Sequence, residues 1–577
     1  MTSSHIEKER KFDGMVDAAL PALDGLPGVS EISDPDVENL DAVYYDTADL
    51  RLLEHGITLR RRTGGHDSGW HLKLPVGPDE RHEVHLPLNA GAPGRVPRVL
   101  TQRTRAYARG QALIPIVHLR TQRRRRLLLD SEHRSLAEVA QDAVSAQVLA
   151  PERFAPEAAE QAQPAVPTQR EGHSRHRGGG SSAVLTSWTE VEAELVEGGA
   201  DLLDAVEQRF FRAGLRRSSS PSKLARALGR DTMGRGTMEA APGRRARGKG
   251  QDGKGQDGKG QDGKGQDGKG QDKGMGRKQA ARLGAGTVGA AVTALLRAQV
   301  QQLIALDPAV RADEADAVHQ MRVAVRRLRS TLRTHRRLLA EEPGRALAEE
   351  LRWLGAVLGE ARDREVLGAR LGAEIGRLPA AECPGPVRER IDSWASAEYR
   401  RSWKRAVATL DGPRYFTLLD GLEELAARPP LRGRARRGAV AEFRRIARRE
   451  QRRVTARADA AAAAPAGSQR DQALHATRKA AKRARYAAEG ARPAVGKPAK
   501  RMAKAMKRLQ QLLGERQDAL LACSALPELA AVAHRAGEEG FGYGVLYAGQ
   551  RAAVAEVDRR FPACRRKAAK RRLSRFR

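Results

Sequence analysis

Aromatic side chains are scarce in this sequence: 5 Trp, 8 Tyr and 9 Phe make up 4% of its 577 residues. Proteins that read single-stranded nucleic acid stack bases on such rings, so the scarcity argues against a base reader. Cysteine is scarcer still. Cys383, Cys523 and Cys564 are far apart and odd in number, which gives neither a disulfide framework nor a zinc-ligand spacing and leaves buried reduced thiols. No run approaches the ~18 apolar residues of a membrane span. Met1 to Lys11 is charged, where a secretory signal needs an apolar stretch. The expectation is a soluble protein of the cytoplasm. Acidic residues are outnumbered, 71 against 104 Lys and Arg, a net charge of +33. That excess predicts a polyanionic partner, recognised by its phosphates more than by bases.

At roughly 100 to 200 residues per domain the length allows two to four domains, and composition shows where they fall. Residues 1 to about 150 and 184 to 230 alternate as half-buried strands do, at His5 to Phe12, Gly56 to Arg62, Trp70 to Leu74, Arg81 to Leu86 and Trp188 to Leu195. Between these blocks, 151–182 is rich in Pro, Gln, Ala, His and Gly and reads as a disordered insertion. In 231–279, the pentapeptide GKGQD runs five times in tandem from Gly248 to Asp272, with nothing apolar to offset its ordering entropy. This is a flexible linker, with an end-to-end distance of roughly 40 Å for a coil of that length. Its match to G-x-G-x-x-G at Gly248, Gly250 and Gly253 has no strand before it and no helix after it, so it carries no nucleotide site.

From about residue 280 to 577, Ala, Leu, Arg and Glu recur at helical spacing, which predicts an all-α bundle. It repeats internally. Val318-His319-Gln320-Met321-Arg322 aligns with Leu474-His475-Ala476-Thr477-Arg478 at an offset of 156 residues, and Leu358 to Asp363 aligns with Leu513 to Asp518 at nearly the same offset. Two pseudo-repeats follow, at about 280–425 and 432–577.

In the first region, Glu7, Glu9 and Lys11 leave one face of a strand, and Glu190, Glu192 and Glu194 one face of another. Aligned carboxylates repel unless cations neutralise them, and clustered oxygens suit a hard divalent ion. Arg60 and Arg62, His71 and Lys73, and Arg81 and Glu83 pair by the same parity, while Arg120 and Arg123 lie in a further segment and Lys223 follows a turn-like Ser219-Ser220-Pro221-Ser222. A closed sheet with carboxylates on one wall and Arg/Lys on another can hold a metal–phosphate chain.

These residues also carry a likeness. Glu7-Lys8-Glu9-Arg10-Lys11 resembles the E-x-E-x-K signature of the CYTH family, the triphosphate tunnel metalloenzymes. Tyr44-Tyr45-Asp46-Thr47, Gly56 to Arg62, Trp70 to Pro75, Trp188 to Leu195 and Ser222 to Leu228 are similar to its later blocks, in order. The resemblance covers about residues 3 to 230. It implies an antiparallel β-barrel tunnel with flanking helices, which binds a triphosphate with Mg2+ or Mn2+. By that resemblance Glu7, Glu9, Asp142, Glu190, Glu192 and Glu194 hold metal. Lys11, Arg60, Arg62, Lys73, Arg81, Arg120, Arg123 and Lys223 hold phosphates, and Lys73, with Tyr44 or Tyr45, orients the attacking water.

In the second region His319, Arg322, Arg326, Arg329 and Arg333 are spaced 3, 4, 3 and 4, one helical face, beside an apolar stripe of Val318, Met321, Val325, Leu328 and Leu332. No acidic residue lies between Ala317 and Ala340. His475, Arg478, Lys482 and Arg485 repeat the face. The two H-x-x-R helices resemble those of the CHAD domain, a helical module often fused to CYTH, and this likeness covers roughly 280 to 577. It implies inorganic polyphosphate as partner, at His319, Arg322, Arg326, Arg327, Arg329 and Arg333 and at His475, Arg478, Lys479, Lys482, Arg483 and Arg485, and a location at polyphosphate granules. The tail from Arg565 to Arg577, with eight basic residues in thirteen, reads as an extension of that surface or as a disordered end.

The fold class is therefore α+β and multidomain, an antiparallel β-barrel followed by an all-α bundle of two pseudo-repeats. The leading function is metal-dependent hydrolysis of a triphosphate, inorganic triphosphate first, with polyphosphate binding by the helices. The alternatives are a non-catalytic polyphosphate-binding protein, and adenylyl cyclase or thiamine triphosphatase chemistry on the same barrel. A nucleic-acid binder has the charge for it but no base-reading motif.

Overall fold

The computed structural model describes residues 3–13, 20–77, 79–92, 94–149, 185–230, 286–383 and 385–574. The insertion expected at 151–182, the linker at 231–279 and the last three residues of the basic tail lie outside these. The chain divides into two units, Met1–Lys259 and Gly260–Arg577.

The first unit is built on one antiparallel sheet of ten strands: β1 (Ser3–Asp13), β2 (Glu31–Ile32), β3 (Asp36–Asp46), β4 (Thr58–Thr63), β5 (Gly69–Pro75), β6 (Glu80–Leu86), β7 (Ile114–Leu129), β8 (Ser135–Val148), β9 (Leu185–Leu195) and β10 (Arg216–Arg217). The order is β10-β1-β6-β5-β4-β3-β7-β8-β9, with β2 on β7. Strand β9 returns to β1 through Glu9↔Glu194, Lys11↔Glu192 and Asp13↔Glu190. The eight strands other than the two-residue β2 and β10 thus close into a barrel.

Strand alternation then separates two environments. On β1, Glu7 and Glu9 are buried toward the lumen, while Phe12 faces outward and meets Phe210 edge-on, centroids 4.9 Å apart. Phe210 belongs to α3 (Ala200–Arg212), whose Leu202, Leu203 and Val206 complete an apolar layer with Leu128, Val139 and Val191 of the sheet. Truncating either ring to Ala costs ~3–5 kcal/mol. A second outer layer, with Leu59, Trp70, Leu72 and Val84, lies beneath Leu52 of α1 (Arg51–Glu54) and Leu100 of α2 (Arg98–Ala108). The Asp46 carboxylate ties α1 to β3, accepting the N–H groups of Thr47, Leu52 and Leu53 at 2.7, 2.8 and 2.9 Å. Helix α4 (Lys223–Ala227), capped by the Ser222 hydroxyl, packs Leu224 and Ala227 with Val117, Val144 and Ala146. The apolar core therefore sits largely outside the barrel wall, and the lumen stays polar.

The second unit is all helical: α5 (Val288–Ala305), α6 (Asp307–Arg311), α7 (Ala317–His335), α8 (Glu341–Ile375), α9 (Val387–Leu410), α10 (Pro413–Ala427), α11 (Ala439–Ala463), α12 (Ser468–Gly490), α13 (Arg492–Val495), α14 (Lys497–Arg535) and α15 (Phe541–Ala569). The starts of the two repeats meet: Val288 N–H donates to Arg437 O, and Ala439 N–H to Gly286 O, both at 2.8 Å. On α7 the apolar stripe Val318, Met321, Val325, Leu328 and Leu332 is buried, which leaves the basic stripe beside it free to face a neighbour or solvent. The first residues of the basic tail are ordered, since Arg565 lies within α15 and pairs with Asp459 at 2.6 Å. Among the described residues no helix is long and apolar enough to cross a membrane.

Candidate functional site

The lumen of the barrel holds a cavity of about 380 Å³ with two chemically opposed sides. Glu7 and Glu9 of β1, Glu192 and Glu194 of β9 and Glu138 of β8 line one. Arg60 and Arg62 of β4, Lys73 of β5 and Arg123 of β7 line the other. Register explains the juxtapositions, because Lys11 sits opposite Glu192, Asp142 opposite both Arg123 and Glu190, and Tyr44 opposite Arg60.

Every cation inside has a task. Lys73 Nζ lies 2.6 Å from Glu7 Oε1 and 3.5 Å from Glu83 Oε2. Burial alone would lower its pKa, but Glu7, Glu83 and Glu9 raise it above the usual lysine value, so Lys73 is cationic and no base. Lys11 bridges Glu9 and Glu192, and Arg81 Nε reaches Glu9 at 3.1 Å. Arg123 forks onto Asp142 at 2.8 and 2.7 Å and onto Glu192 at 2.8 Å. Arg60 donates to the Tyr44 hydroxyl at 3.2 Å. The Tyr44 phenol is buried, which opposes ionisation, yet Arg60 and Lys223 outweigh this and lower its pKa. On Arg62, burial together with Arg60 and Arg123 pushes the pKa down to about 9. Arg62 pairs with Asp67, and that one carboxylate does not offset its burial and the two neighbouring guanidiniums.

Two groups of carboxylates are candidates for a cation, and among the described residues only the first stands at metal-ligand spacing. Ligand oxygens of Asp142, Glu190 and Glu192 lie within 4.8 Å of one another, with Asp142 and Glu190 buried behind the cavity wall. The second group is Glu7, Glu9 and Glu194. Glu7 Oε2 is buried with no hydrogen-bond partner among the described residues. Burial and the adjacent Glu7 and Glu9 push Glu194 up to about 9. An orphaned carboxylate oxygen and a carboxyl that ionises only with difficulty are what surplus negative charge produces, and a hard divalent ion relieves both.

Of the residues expected here, Glu7, Glu9, Lys11, Tyr44, Arg60, Arg62, Lys73, Arg81, Arg123, Glu192, Glu194 and Lys223 line the cavity. Two do not. Arg120 and Arg123 have opposite parity on β7, so Arg120 points out of the barrel, its side chain 78% exposed and 3.7 Å from Asp41. Tyr45 likewise turns outward from Tyr44 and stacks on Trp70, with centroids 5.2 Å apart. Glu83 and Glu138 belong to the wall but were not expected as ligands. Glu138 is two steps of two from Asp142 on β8 and was therefore within reach of the parity argument.

In the helical unit α7 and α12 bring Arg322, Arg326, Arg478 and Lys482 together. Arg322 Nη1 lies 2.7 Å from Asp363 Oδ1 and packs over Gly359, where a Cβ would stand 3.4 Å from its guanidinium. Arg478 packs over Gly514 in the same way at 3.6 Å. Arg326, Arg478 and Lys482 have no ion-pair or hydrogen-bond partner among the described residues, and burial with Arg326 and Arg478 pushes Lys482 down to about 7. His319, depressed by burial and Arg362, and His475, 3.3 Å from Gln517, flank the cluster. Lys479 acts on His475. Farther along α7, burial and the neighbouring Arg333 lower the pKa of Arg329. Besides Arg322, three expected members pair with carboxylates. Arg483 pairs with Glu450 of α11 at 2.6 Å, and Arg327 and Arg485 both pair with Glu489, at 3.8 and 2.7 Å.

Barrel and bundle define a class. The family model of the CYTH domain matches residues 5–228, and that of the CHAD domain matches residues 294–527. The protein named "Uncharacterized protein Rv2226" of Mycobacterium tuberculosis (strain H37Rv) is 35% identical over 557 residues, 94% of this chain and 92% of that protein. The chain belongs to the family of proteins in which a CYTH domain is followed by a CHAD domain. Among solved structures it is similar to the CHAD domain from the plant Ricinus communis, with 29% identity, 49% of this chain and 92% of that chain covered and a TM-score of 0.40. It is also similar to PptA from Streptomyces chartreusis, with 22% identity, 48% and 99% covered and a TM-score of 0.40. CYTH domains are metal-dependent members of the triphosphate tunnel enzymes, and CHAD domains belong to a polyphosphate-binding family.

Proposed function

We propose that the barrel hydrolyses a triphosphate, inorganic triphosphate first among them, with Mg2+ or Mn2+, and that the helical unit binds inorganic polyphosphate. The observation that carries this is the opposition, across one cavity, of a carboxylate wall and a guanidinium wall. A site for anions alone gains nothing from Glu7, Glu9, Glu192 and Glu194.

Glu7, Glu9 and Glu194, with Asp142, Glu190 and Glu192, would hold metal. When bound, it offsets charge on the phosphate oxygens and polarises the phosphoanhydride. Arg60, Arg62, Arg123, Lys11, Arg81 and Lys223 clamp the phosphates. Lys73, held cationic by Glu7 and Glu83, donates a hydrogen bond that orients water or a phosphate oxygen. The Tyr44 hydroxyl accepts from Arg60, which leaves its own proton for the substrate. In the helical unit, Arg326, Arg478 and Lys482 have no ion-pair partner among the described residues, and this supports the polyphosphate reading.

One contact favours a second reading, binding without turnover: the Lys223 ammonium already lies among Asp142, Glu190 and Glu192. Phosphate release from triphosphate, ATP and thiamine triphosphate, with and without Mg2+ or Mn2+, separates the two. Metal-dependent release from triphosphate supports hydrolysis. Cyclic AMP from ATP, or release from thiamine triphosphate alone, moves the chemistry to another triphosphate. Binding with no release in any arm supports the second reading.

A further inference from the structure

Between residues 432 and 453, α11 and the segment that enters it carry ten arginines against two carboxylates, Glu442 and Glu450. Both carboxylates are buried and already engaged. Glu442 takes Arg445 at 2.6 Å, and Glu450 takes Arg449 at 3.1 Å, Arg453 at 2.8 Å and Arg483 at 2.6 Å. These pairs fix Arg445 and Arg449 in place. Arg337, Arg444, Arg448 and Arg452 have no ion-pair or hydrogen-bond partner among the described residues, and Arg444 Nε is buried unpaired.

All six line one groove of about 400 Å³, formed by α11 and the turn after α7. Arg444, Arg448 and Arg452 stand four residues apart on one helical face, about 6 Å per step at 1.5 Å per residue. Arg449 Nη2 donates to Thr334 O at 3.0 Å, which ties the groove to the C-terminal turn of α7. Arg322, in the cluster with Arg326 and Lys482, lies twelve residues back along that helix, about 18 Å. Six guanidiniums around one groove repel each other unless an anion enters. Their planar forks match phosphate oxygens, and no aromatic side chain lines the groove for a base to stack on.

We propose that this groove is a second phosphate-binding site, which takes a further segment of an inorganic polyphosphate chain that also lies on Arg326 and Lys482. It rests on the polyphosphate reading of the helical unit. The groove adds affinity only for chains long enough to reach both places, because it acts through effective concentration.

The test uses the full chain in EDTA, with tripolyphosphate and a long-chain polyphosphate titrated at several salt concentrations. The variant is Arg444→Gln, Arg448→Gln and Arg452→Gln combined. It removes no ion pair among the described residues, and an unchanged melting temperature confirms its fold. The expected result is a loss on the order of tenfold for the long chain and a log K against log salt slope shallower by about 2, from three lost phosphate contacts. Tripolyphosphate affinity stays unchanged. Arg326→Gln, by contrast, weakens polyphosphate of any length that the helices bind. Unchanged long-chain affinity in the triple variant, with a loss in Arg326→Gln, overturns the groove and leaves polyphosphate binding intact. A wild-type chain that binds no polyphosphate overturns both. Loss of duplex DNA binding with polyphosphate affinity intact also overturns the proposal, because the groove is then a nucleic-acid contact.

Discussion

Lys223 Nζ lies 2.6 Å from Glu190 Oε1, and the same ammonium reaches Asp142 at 2.9 Å and Glu192 at 2.7 Å. Burial would lower its pKa, but the three carboxylates raise it well above the usual lysine value. A divalent ion that takes this centre must displace the ammonium toward the phosphates. Lys223→Gln should therefore tighten Mn2+ binding at the trio while weakening triphosphate binding. In EDTA the variant should lose ~3–5 kcal/mol of stability, the cost of removing one partner from a buried ion pair, and Mn2+ should restore it by mass action. Thermal melts of both proteins with and without Mn2+ check this. Melts that ignore metal in the variant remove the trio from the metal site.

The depressed pKa of Lys482 should make the proposed polyphosphate binding pH-dependent. Free, it titrates at about 7 against an ordinary 10.5. Phosphate oxygens beside it favour the charged form and raise it again. Between about pH 7 and 10 binding then takes up a proton, and affinity falls as pH rises through that window. Below pH 7 Lys482 is already charged and contributes no slope. Calorimetry at pH 8 in buffers of different ionisation enthalpy should show uptake approaching one proton, and Lys482→Arg should abolish that part.

Charge reversal of Arg322 and Arg326 to Glu should weaken polyphosphate binding and flatten its salt dependence, since each lost phosphate contact releases fewer counterions. Titration at three salt concentrations measures both effects. Duplex DNA at equal phosphate concentration should not displace polyphosphate from the wild-type chain.

Arg120 and Arg123 make a paired control on β7. Arg123→Ala removes a guanidinium that contacts Asp142 and Glu192 inside the cavity and should raise KM for triphosphate on the order of tenfold or more. Arg120→Ala removes an exposed side chain beside Asp41 and should leave KM within about twofold. Steady-state kinetics on both variants checks it.

That pair also shows where the sequence could be read. Alternation alone put Glu7, Glu9 and Lys11 on one face, and Glu192 and Glu194 on another, because a strand obeys a period of two whatever it packs against. The same rule separates Arg120 from Arg123 and Tyr44 from Tyr45, and applied to β7 it would have excluded Arg120. The H-x-x-R faces were legible as stripes on α7 and α12. Their meeting at Arg326 and Lys482 was not, because tertiary packing brings the two repeats together. Nor did spacing show that Arg327, Arg483 and Arg485 pair with Glu489 and Glu450, since those carboxylates come from a later turn of α12 and from another helix. The Lys223 contacts depend on a short helix after β10 folding back onto β8 and β9, a long-range closure that no local pattern encodes.

On the proposed function, carboxylates on the cavity wall hold a metal that drives triphosphate hydrolysis. Phosphate release from inorganic triphosphate by the full chain and by Glu9→Gln, each with Mg2+ or Mn2+ and with EDTA, tests it most directly. Glu9 suits the purpose because Lys11 and Lys73 overcome its burial and hold it ionised, at about 2, so Gln deletes a charge and little volume. The expected result is metal-dependent turnover in the wild type, abolished by EDTA and lowered on the order of a hundredfold in Glu9→Gln, the rate equivalent of ~3 kcal/mol, with the melting temperature showing a folded protein. Equal turnover in Glu9→Gln, or turnover that persists in EDTA, would contradict it.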